Sequence, residues 1–415
     1  MNENAPILIL GAGQAGFQAA SSLRAAGHTG SIALVGDEPH LPYSRPPLSK
    51  AYLTGKTDAK SLALRPESFY QDNNIDLYLG RRALAVDRAR RQVSLDDGQT
   101  LSYDHLIFAT GARNRDLPLA GVEQLAGVYG LRSLDDASRL RDALPTAHKA
   151  VVIGAGFIGL EFAAAAQARG IATTVVELQT RPLARAISAG MSDIFTRAHQ
   201  VSGVQFKFGV AVKTVLQEQG RVTGVELDNG ERLDTDLLLV GIGALPNSEL
   251  AEQCGLQVAG GILVDEYLRT SDPHISAIGD CVSHPSIHGA GRNIRLESVQ
   301  NAADQARCVA ARLCGEPSPY TSLPWFWSDQ GALKLQIAGL SDGHDQVVLR
   351  GDPQSNACSV FCFKNGRLVA VESVNRPVDH IAARRLLNEG IELSAEQAAD
   401  LLVDLRKLSA AASAV

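Results

Sequence analysis

No long apolar run is present: the one stretch of about 20 residues without a charged side chain, 4–23, is interrupted by Gly, Gln, Asn and Ser, so a membrane-spanning helix is not expected. No basic segment precedes the first apolar run, Ile7-Leu8-Ile9-Leu10, which leads straight into glycines and therefore reads as a strand, not a secretion signal. Neither sign of charge prevails: 39 Lys+Arg against 45 Asp+Glu leave a net charge of −6, with no global reason to expect nucleic acid or an anionic membrane, although local basic patches stay open. Six cysteines in 415 residues are too few for a disulfide scaffold. None of them (254, 281, 308, 314, 358, 362) is spaced as C-x-x-C or C-x-x-x-x-C, which disfavours a redox dithiol. Cys358 and Cys362, on an alternating strand, read as packing. The histidines include no H-E-x-x-H, and His284, His288 and His344 sit in loop-like Gly/Ser/Pro/Asp contexts that read as solvated, so no metal is expected. G-x-S-x-G is also missing. The expectation is a soluble, cytoplasmic protein of two to four domains, at roughly 100–200 residues each.

What is present is a repeat. Ile7-Leu8-Ile9-Leu10 is followed by Gly11-Ala12-Gly13-Gln14-Ala15-Gly16 and a helix-like run at 17–26. Val151-Val152-Ile153 is followed, 143 positions on, by Gly154-Ala155-Gly156-Phe157-Ile158-Gly159 and a helix-like run at 160–168. Downstream of each copy lies a hairpin signal, Asp97-Gly98 or Asn229-Gly230, and then an apolar strand ending in glycine, at Gly111 or Gly241. Each copy reads as β-α-β, a small meander and a closing strand.

G-x-G-x-x-G alone is a weak signal. Here both copies follow a strand and open a helix, and a second strand then ends in an acid. Asp37 lies 21 residues after Gly16 and Glu177 lies 18 after Gly159, near the spacing of the dinucleotide fingerprint. The first glycine makes the tight turn, the second lets pyrophosphate approach the backbone, and the third lets helix and strand pack closely. The helix N-terminus then offers free N–H groups and its positive dipole end to phosphate. Two such sites imply two dinucleotides, naturally a flavin and a nicotinamide. The fold class expected is α/β, with two Rossmann-like domains and a smaller α+β unit formed by the last 90 residues or so. In that unit 333–340 and Arg367–Val374 read as strands, Lys364-Asn365-Gly366-Arg367 as a hairpin turn, and 377–389 and 394–408 as helices.

Several longer stretches are more specific. Arg45-Pro46-Pro47-Leu48-Ser49-Lys50, Leu131-Arg132-Ser133-Leu134-Asp135-Asp136-Ala137, Ala277-Ile278-Gly279-Asp280-Cys281, Glu297-Ser298-Val299-Gln300-Asn301-Ala302 and Pro324-Trp325-Phe326-Trp327-Ser328-Asp329-Gln330 resemble the FAD-dependent ferredoxin reductases of bacterial oxygenase systems, which have a glutathione-reductase-type fold. The resemblance runs from about Pro6 to the C-terminal helix. It implies FAD in the first site, NADH in the second, hydride transfer between them, and single electrons passed to a [2Fe–2S] ferredoxin that supplies a cytochrome P-450 or Rieske oxygenase.

Its domain arrangement would be FAD-binding at 1–117 and 247–323, NAD-binding at 118–246, and a C-terminal domain at 324–415. It implies FAD contacts from Gly11, Gly13, Ala15, Gly16, Asp37, Lys50, Ala83, Thr110, Gly111, Arg132, Asp280 and Val299, and NADH contacts from Gly154, Gly156, Gly159 and Glu177. Glu38 is the alternative to Asp37 as ribose ligand, and Asp280 also reads as a helix N-cap. Arg181 and Arg185 lie close enough in sequence to Glu177 to soften discrimination against NADPH. The resemblance places Lys50 near the flavin N5 with Glu161 as its ion-pair partner, against a plainer reading as a surface lysine and a first-turn acid. It places Trp327 between flavin and partner, and Arg65 and Arg307 at the docking surface, where solvated arginines are the alternative. The shared fold keeps a disulfide reductase, an apoptosis-inducing-factor-like flavoprotein or NADH oxidase, and a non-enzymatic flavin sensor in view as competing readings.

Overall fold

The computed structural model describes residues 6–289 and 291–408. Their contacts form two compact units, one of the chain up to Ser44 with Lys60–Arg113 and Leu245–Pro324, the other of Arg45–Ala59, Asn114–Ala244 and the chain from Trp325 on.

In the first unit a parallel sheet has the strand order Ile275–Ala277, His105–Phe108, Ile7–Leu10, Ile32–Gly36, Ile75–Leu79. Strands covered on both faces need unbroken apolar runs, and Ile7 to Leu10 are all buried. Helices Gln14–Ala25 and Val299–Leu313 pack on each other, and Ala19, Ala20, Leu23, Ala306, Val309 and Ala310 are buried in the core they share. The meander Ala83–Asp87, Gln92–Leu95, Thr100–Ser102 stands as expected.

The second unit repeats the order. Gln205–Phe208, Ala172–Glu177, Lys149–Ile153, Leu237–Val240 and Val128–Tyr129 form its parallel sheet, with the meander Val212–Glu218, Arg221–Leu227, Arg232–Asp234. Only the fifth strand changes its place in the chain: Val128–Tyr129 precedes the glycine motif, whereas Ile275–Ala277 ends its unit. The helix Phe157–Gln167 is apolar nearly all round, the mark of a helix covered on several sides. It lies against the strand Ala172–Glu177 on one side and Trp325–Gln330 on another.

That last strand starts an antiparallel sheet ordered Trp325–Gln330, Leu333–Gly339, Arg367–Val374, Ala357–Lys364, Gln346–Asp352, covered by the helix Pro377–Glu389. The hairpin at 364–367 has Asn365 and Gly366 both at positive φ, +50° and +73°, as a two-residue primed turn requires. Cys358 and Cys362 are fully buried. The expected helix at 394–408 is shorter: Ser394 caps only Ala395–Ala399. The Arg350 guanidinium then takes the carbonyls of Ala398, Asp400 and Val403, which a continuing helix would need for its own N–H groups.

Contacts also group Arg45–Ala59 with the second unit, where the sequence reading had it in the first domain. Tyr52 and Leu53 are buried there, Tyr52 Oη bonds Ser138 Oγ at 2.7 Å, and the Arg141 guanidinium lies 4.5 Å over the Tyr52 ring.

In the first unit His105 is fully buried, with Nε2 2.8 Å from Ser276 Oγ. Burial, then the nearby Arg312, depresses its pKa to about 3. The unfolded chain binds this proton near 6.5, so stability is complete above that pH and is lost as pH falls toward 3. His105→Leu should remove this titration. Denaturant unfolding at stepped pH is expected to show a slope between those values shallower by up to about 1.4 kcal/mol per pH unit.

Candidate functional site

Each unit builds the same crest. In the first, Gly11 turns at φ +113°, and a Cβ there would lie 2.1 Å from Ala109 O. A Cβ on Gly16 would lie 1.9 Å from Gly11 O, whereas one on Gly13 would meet nothing within 4 Å. Two glycines are thus demanded by the backbone itself, and the middle one leaves open space beside a helix start that has no side-chain cap. That is the cradle a pyrophosphate fits. Ala15 is buried in the first turn of the helix, its Cβ 3.0 Å from where a Cβ on Gly279 would stand.

Around this crest, Asp37 directly follows the second strand, with its side chain 64% exposed and an ion pair to Arg82 at 3.6 Å. Glu38 accepts from Tyr43 Oη at 2.7 Å. Thr110 and Gly111 follow the fourth strand and exchange hydrogen bonds with Asn247. Ala83 is half-buried opposite Leu95 at a bulge of the meander. Val299 is the first residue of its helix, with Ser298 Oγ as the cap. Asp280 is not a helix cap: it sits inside one 3-10 turn, Gly279–Cys281, that runs directly into the strand Val282–Pro285. Gln305, which the sequence did not single out, accepts from Gly279 N at 2.7 Å and so holds that turn.

In the second unit Gly154 turns at φ +100° with its would-be Cβ 2.4 Å from Gly241 O. Gly159 is blocked by Gly154 O at 2.2 Å, and Gly156 has its nearest neighbour at 4.0 Å. Glu177 is anchored at the strand end, Oε2 accepting from Ala155 N at 2.7 Å and Oε1 from Gln179 N at 2.8 Å. An ionised carboxylate retains further lone pairs for ribose hydroxyls. Arg181 is turned away from such a role, contrary to the sequence reading. Its guanidinium donates to Ala184 O, Ile187 O and Ser192 Oγ and ties up its own loop. Arg185 is exposed beside Gly243.

Also in the second unit, Lys50 Nζ lies 2.7 Å from Glu161 Oε2, with side chains 21% and 3% exposed. The plainer reading, a surface lysine and a first-turn acid, does not describe this pair: Glu161 lies beyond the first turn and is buried, and an acid this buried requires partners. It has two more: Ser49 Oγ donates to Oε2 and Ser328 Oγ to Oε1, the latter at 2.6 Å. Both serines lie inside the quoted motifs, but single hydroxyls in a sequence do not declare their targets. Trp327 is half-buried, its ring 5.5 Å from Trp325. Arg132 O accepts from Arg45 Nη1.

Arg65, in the first unit, is exposed and lies 5.6 Å over the Phe69 ring. Arg307 pairs with Asp304 at 2.5 Å. His284 proves buried on a strand, not solvated, and burial lowers its pKa; His288 and His344 are half-buried. Among the described residues no cluster of three or more metal-binding side chains occurs, and no helix is long and apolar enough to cross a membrane. None of the cysteines is in a disulfide, and burial raises the thiols of Cys254, Cys281, Cys308, Cys358 and Cys362, against thiolate chemistry.

Residues 5–306 match the pyridine nucleotide-disulphide oxidoreductase family, and residues 325–409 match the reductase C-terminal family. Rhodocoxin reductase of Rhodococcus erythropolis is 52% identical over 96% of this chain and 93% of its own. The ferredoxin reductase for the CYP199A2 system from Rhodopseudomonas palustris superposes with a TM-score of 0.95 at 51% identity, covering 97% of this chain and 99% of that one. The covalent putidaredoxin reductase–putidaredoxin complex superposes at 0.95 and 40% identity, over 98% of both chains.

The two blocked glycines and the open one should separate folding from binding. Gly159→Ala forces a Cβ onto a carbonyl and should cost about 1–3 kcal/mol, lowering the thermal midpoint. Gly156→Ala should keep that midpoint and weaken NADH binding, read by titration, roughly tenfold or more.

Proposed function

We propose that this chain, which belongs to the pyridine nucleotide-disulphide oxidoreductase family, is an FAD-dependent NADH:ferredoxin reductase that feeds single electrons to a [2Fe–2S] ferredoxin serving a cytochrome P-450 or Rieske oxygenase. The observation that carries this is the doubled crest: two dinucleotide cradles in a chain whose cysteines offer no dithiol. Electrons arriving at the first cradle must then leave to a separate partner. Relatives named as reductases of rhodocoxin and putidaredoxin support the same direction. In our reading the FAD-binding domain comprises 1–117 and 247–323 apart from the packing of Arg45–Ala59, the NAD-binding domain 118–246, and the C-terminal domain the remainder. Cysteines outside disulfides fit a cytoplasmic setting.

Bound FAD and NADH supply the hydride transfer and the division of an electron pair into single electrons. The chain's own residues bind and align. Gly11, Gly13 and Gly16 admit the FAD pyrophosphate, Asp37 takes its adenosine ribose, and Asp280, Thr110, Gly111 and Val299 border it. Ala15, Ala83 and Arg132 complete that set. Gly154, Gly156 and Gly159 do the same for NADH. Lys50, held by Glu161, would supply a cation to the bound flavin and favour its reduced, anionic form. Trp327 would shield the flavin ring on the partner's side.

Glu177 sets the nucleotide. A 2′-phosphate within about 4 Å of its carboxylate costs on the order of 1–4 kcal/mol, and Arg181 is spent elsewhere. The kcat/KM for NADH should exceed that for NADPH by roughly ten- to a thousandfold. Glu177→Ala should narrow the gap by freeing the N–H groups of Ala155 and Gln179 for phosphate; an unchanged ratio would refute the assignment.

The function itself is tested by NADH-driven reduction of cytochrome c through added [2Fe–2S] ferredoxins, with [4Fe–4S] ferredoxins and rubredoxin as comparisons. Turnover should require a [2Fe–2S] protein. With net charge −6, docking of an acidic ferredoxin must rely on local cations. Arg65→Ala should raise the KM for ferredoxin about three- to tenfold and flatten its salt dependence, and Arg307→Ala less, because Asp304 already offsets Arg307. Ferricyanide reduction should stay near wild type, and its loss in parallel would assign these arginines to the fold.

A further inference from the structure

The Lys50–Glu161 pair has a support that the reaction described above does not use. Ser328 Oγ gives its one proton to Glu161 Oε1, so its lone pairs are left to accept, and the Gln330 amide N–H donates to it at 3.1 Å. Gln330 Oε1 is 2.8 Å from His199 Nε2. His199, on the helix Ala189–Val201, is buried, and that burial lowers its pKa. The ring is therefore neutral, and the amide oxygen fixes its proton on Nε2. Every link then runs one way: His199 to Gln330, Gln330 to Ser328, Ser328 to Glu161. Were the amide reversed, its oxygen would draw the Ser328 proton away from the carboxylate. Ser328 and Gln330 are both buried, two residues apart on one side of the strand Trp325–Gln330. Phe326, on that same side, packs its ring against Phe157 of the helix bearing Glu161, with centroids 4.5 Å apart and planes tilted by 42°.

The two oxygens of Glu161 have divided duties. Oε2 receives Lys50 and Ser49, while Oε1 receives Ser328. Without Ser328 the carboxylate can turn about its last torsion, and the ammonium turns with it. We propose that Ser328 and Gln330, anchored by His199, are positioning residues that orient Glu161 and, through it, the Lys50 ammonium. The C-terminal sheet thereby completes a site whose charges belong to other segments. The inference rests on the reading of Lys50 as the cation beside the flavin.

The test uses the FAD-loaded enzyme and the variants Ser328→Ala, Gln330→Met, Ser328→Thr and, as reference, Lys50→Met. Three quantities are read: Lys50 acylation by an N-hydroxysuccinimide ester, followed by peptide mass spectrometry; flavin reduction by NADH in stopped flow; and the thermal midpoint. Ser328→Ala and Gln330→Met should acylate at Lys50 roughly three- to tenfold faster. They should slow reduction at saturating NADH by about three- to thirtyfold with NADH affinity within about twofold. Ser328→Thr, which keeps the hydroxyl, should restore both. Wild-type acylation and reduction in Ser328→Ala and Gln330→Met, with Lys50→Met slow, would overturn the proposal and leave the role of Lys50 intact. Slow reduction with a lowered thermal midpoint, unchanged acylation and no rescue by threonine would also overturn it, as a packing effect. Faster acylation in Ser328→Ala alongside unimpaired reduction in Lys50→Met would uphold the positioning and refute the role of Lys50.

Discussion

A single carboxylate inside an otherwise apolar helix governs how the second unit is put together. Glu161 is the one charged residue in Phe157–Gln167, and it is almost completely withdrawn from water. Taking an ionised acid out of water is unfavourable by several kcal/mol unless donors replace the lost solvent. The donors come from two distant stretches, Ser49 and Lys50 in one and Ser328 in the other. Their convergence explains why Arg45–Ala59 packs with this unit and why the strand Trp325–Gln330 lies along this helix. Breaking such a pair from one side leaves a buried charge uncompensated, about 3–5 kcal/mol in comparable cases, so geometry and stability are constrained by the same contacts.

The doubled crest is a constraint of a different kind, imposed by sterics. In both units a carbonyl from the fourth strand's end fills the space where the first glycine's Cβ would stand, and the first glycine's own carbonyl fills that of the third. Helix and sheet are thereby brought so close that the middle glycine and the helix N–H groups form an open anion seat. Because this depends only on the β-α-β geometry, it survives the change in where the fifth strand enters the chain, early as Val128–Tyr129 or late as Ile275–Ala277.

Acid groups at the ends of the second strands show how the same position diverges. Glu177 is fixed by two backbone N–H groups, so its remaining lone pairs point in set directions. Asp37 stands largely in solvent, with a long ion pair to Arg82. The loop after Glu177 is similarly determined from within, since Arg181 spends its guanidinium on carbonyls of that loop. A cation that looks available to a phosphate in the sequence is thus unavailable in the fold.

Much of this architecture was legible in the chain. Periodicity and the glycine spacing located both β-α-β units, the meanders and the Asn365-Gly366 turn, because local backbone geometry dictates those residues. Motif resemblance brought Lys50 and Glu161 together across 111 positions, which spacing alone does not do. The misses share a cause. The helix at 394–408 was cut short by Arg350, His284 was buried by a strand it was not expected to join, and Asp280 ended in a turn set by Gln305. Each outcome depends on a hydrogen-bond partner distant in sequence. The sequence by itself determined where backbones approach closely and which runs are buried, since Cβ sterics and hydrophobic period act over a few residues. Only the tertiary structure decided which donors reach Glu161, because a buried charge is satisfied by whatever the fold carries to within 3 Å of it.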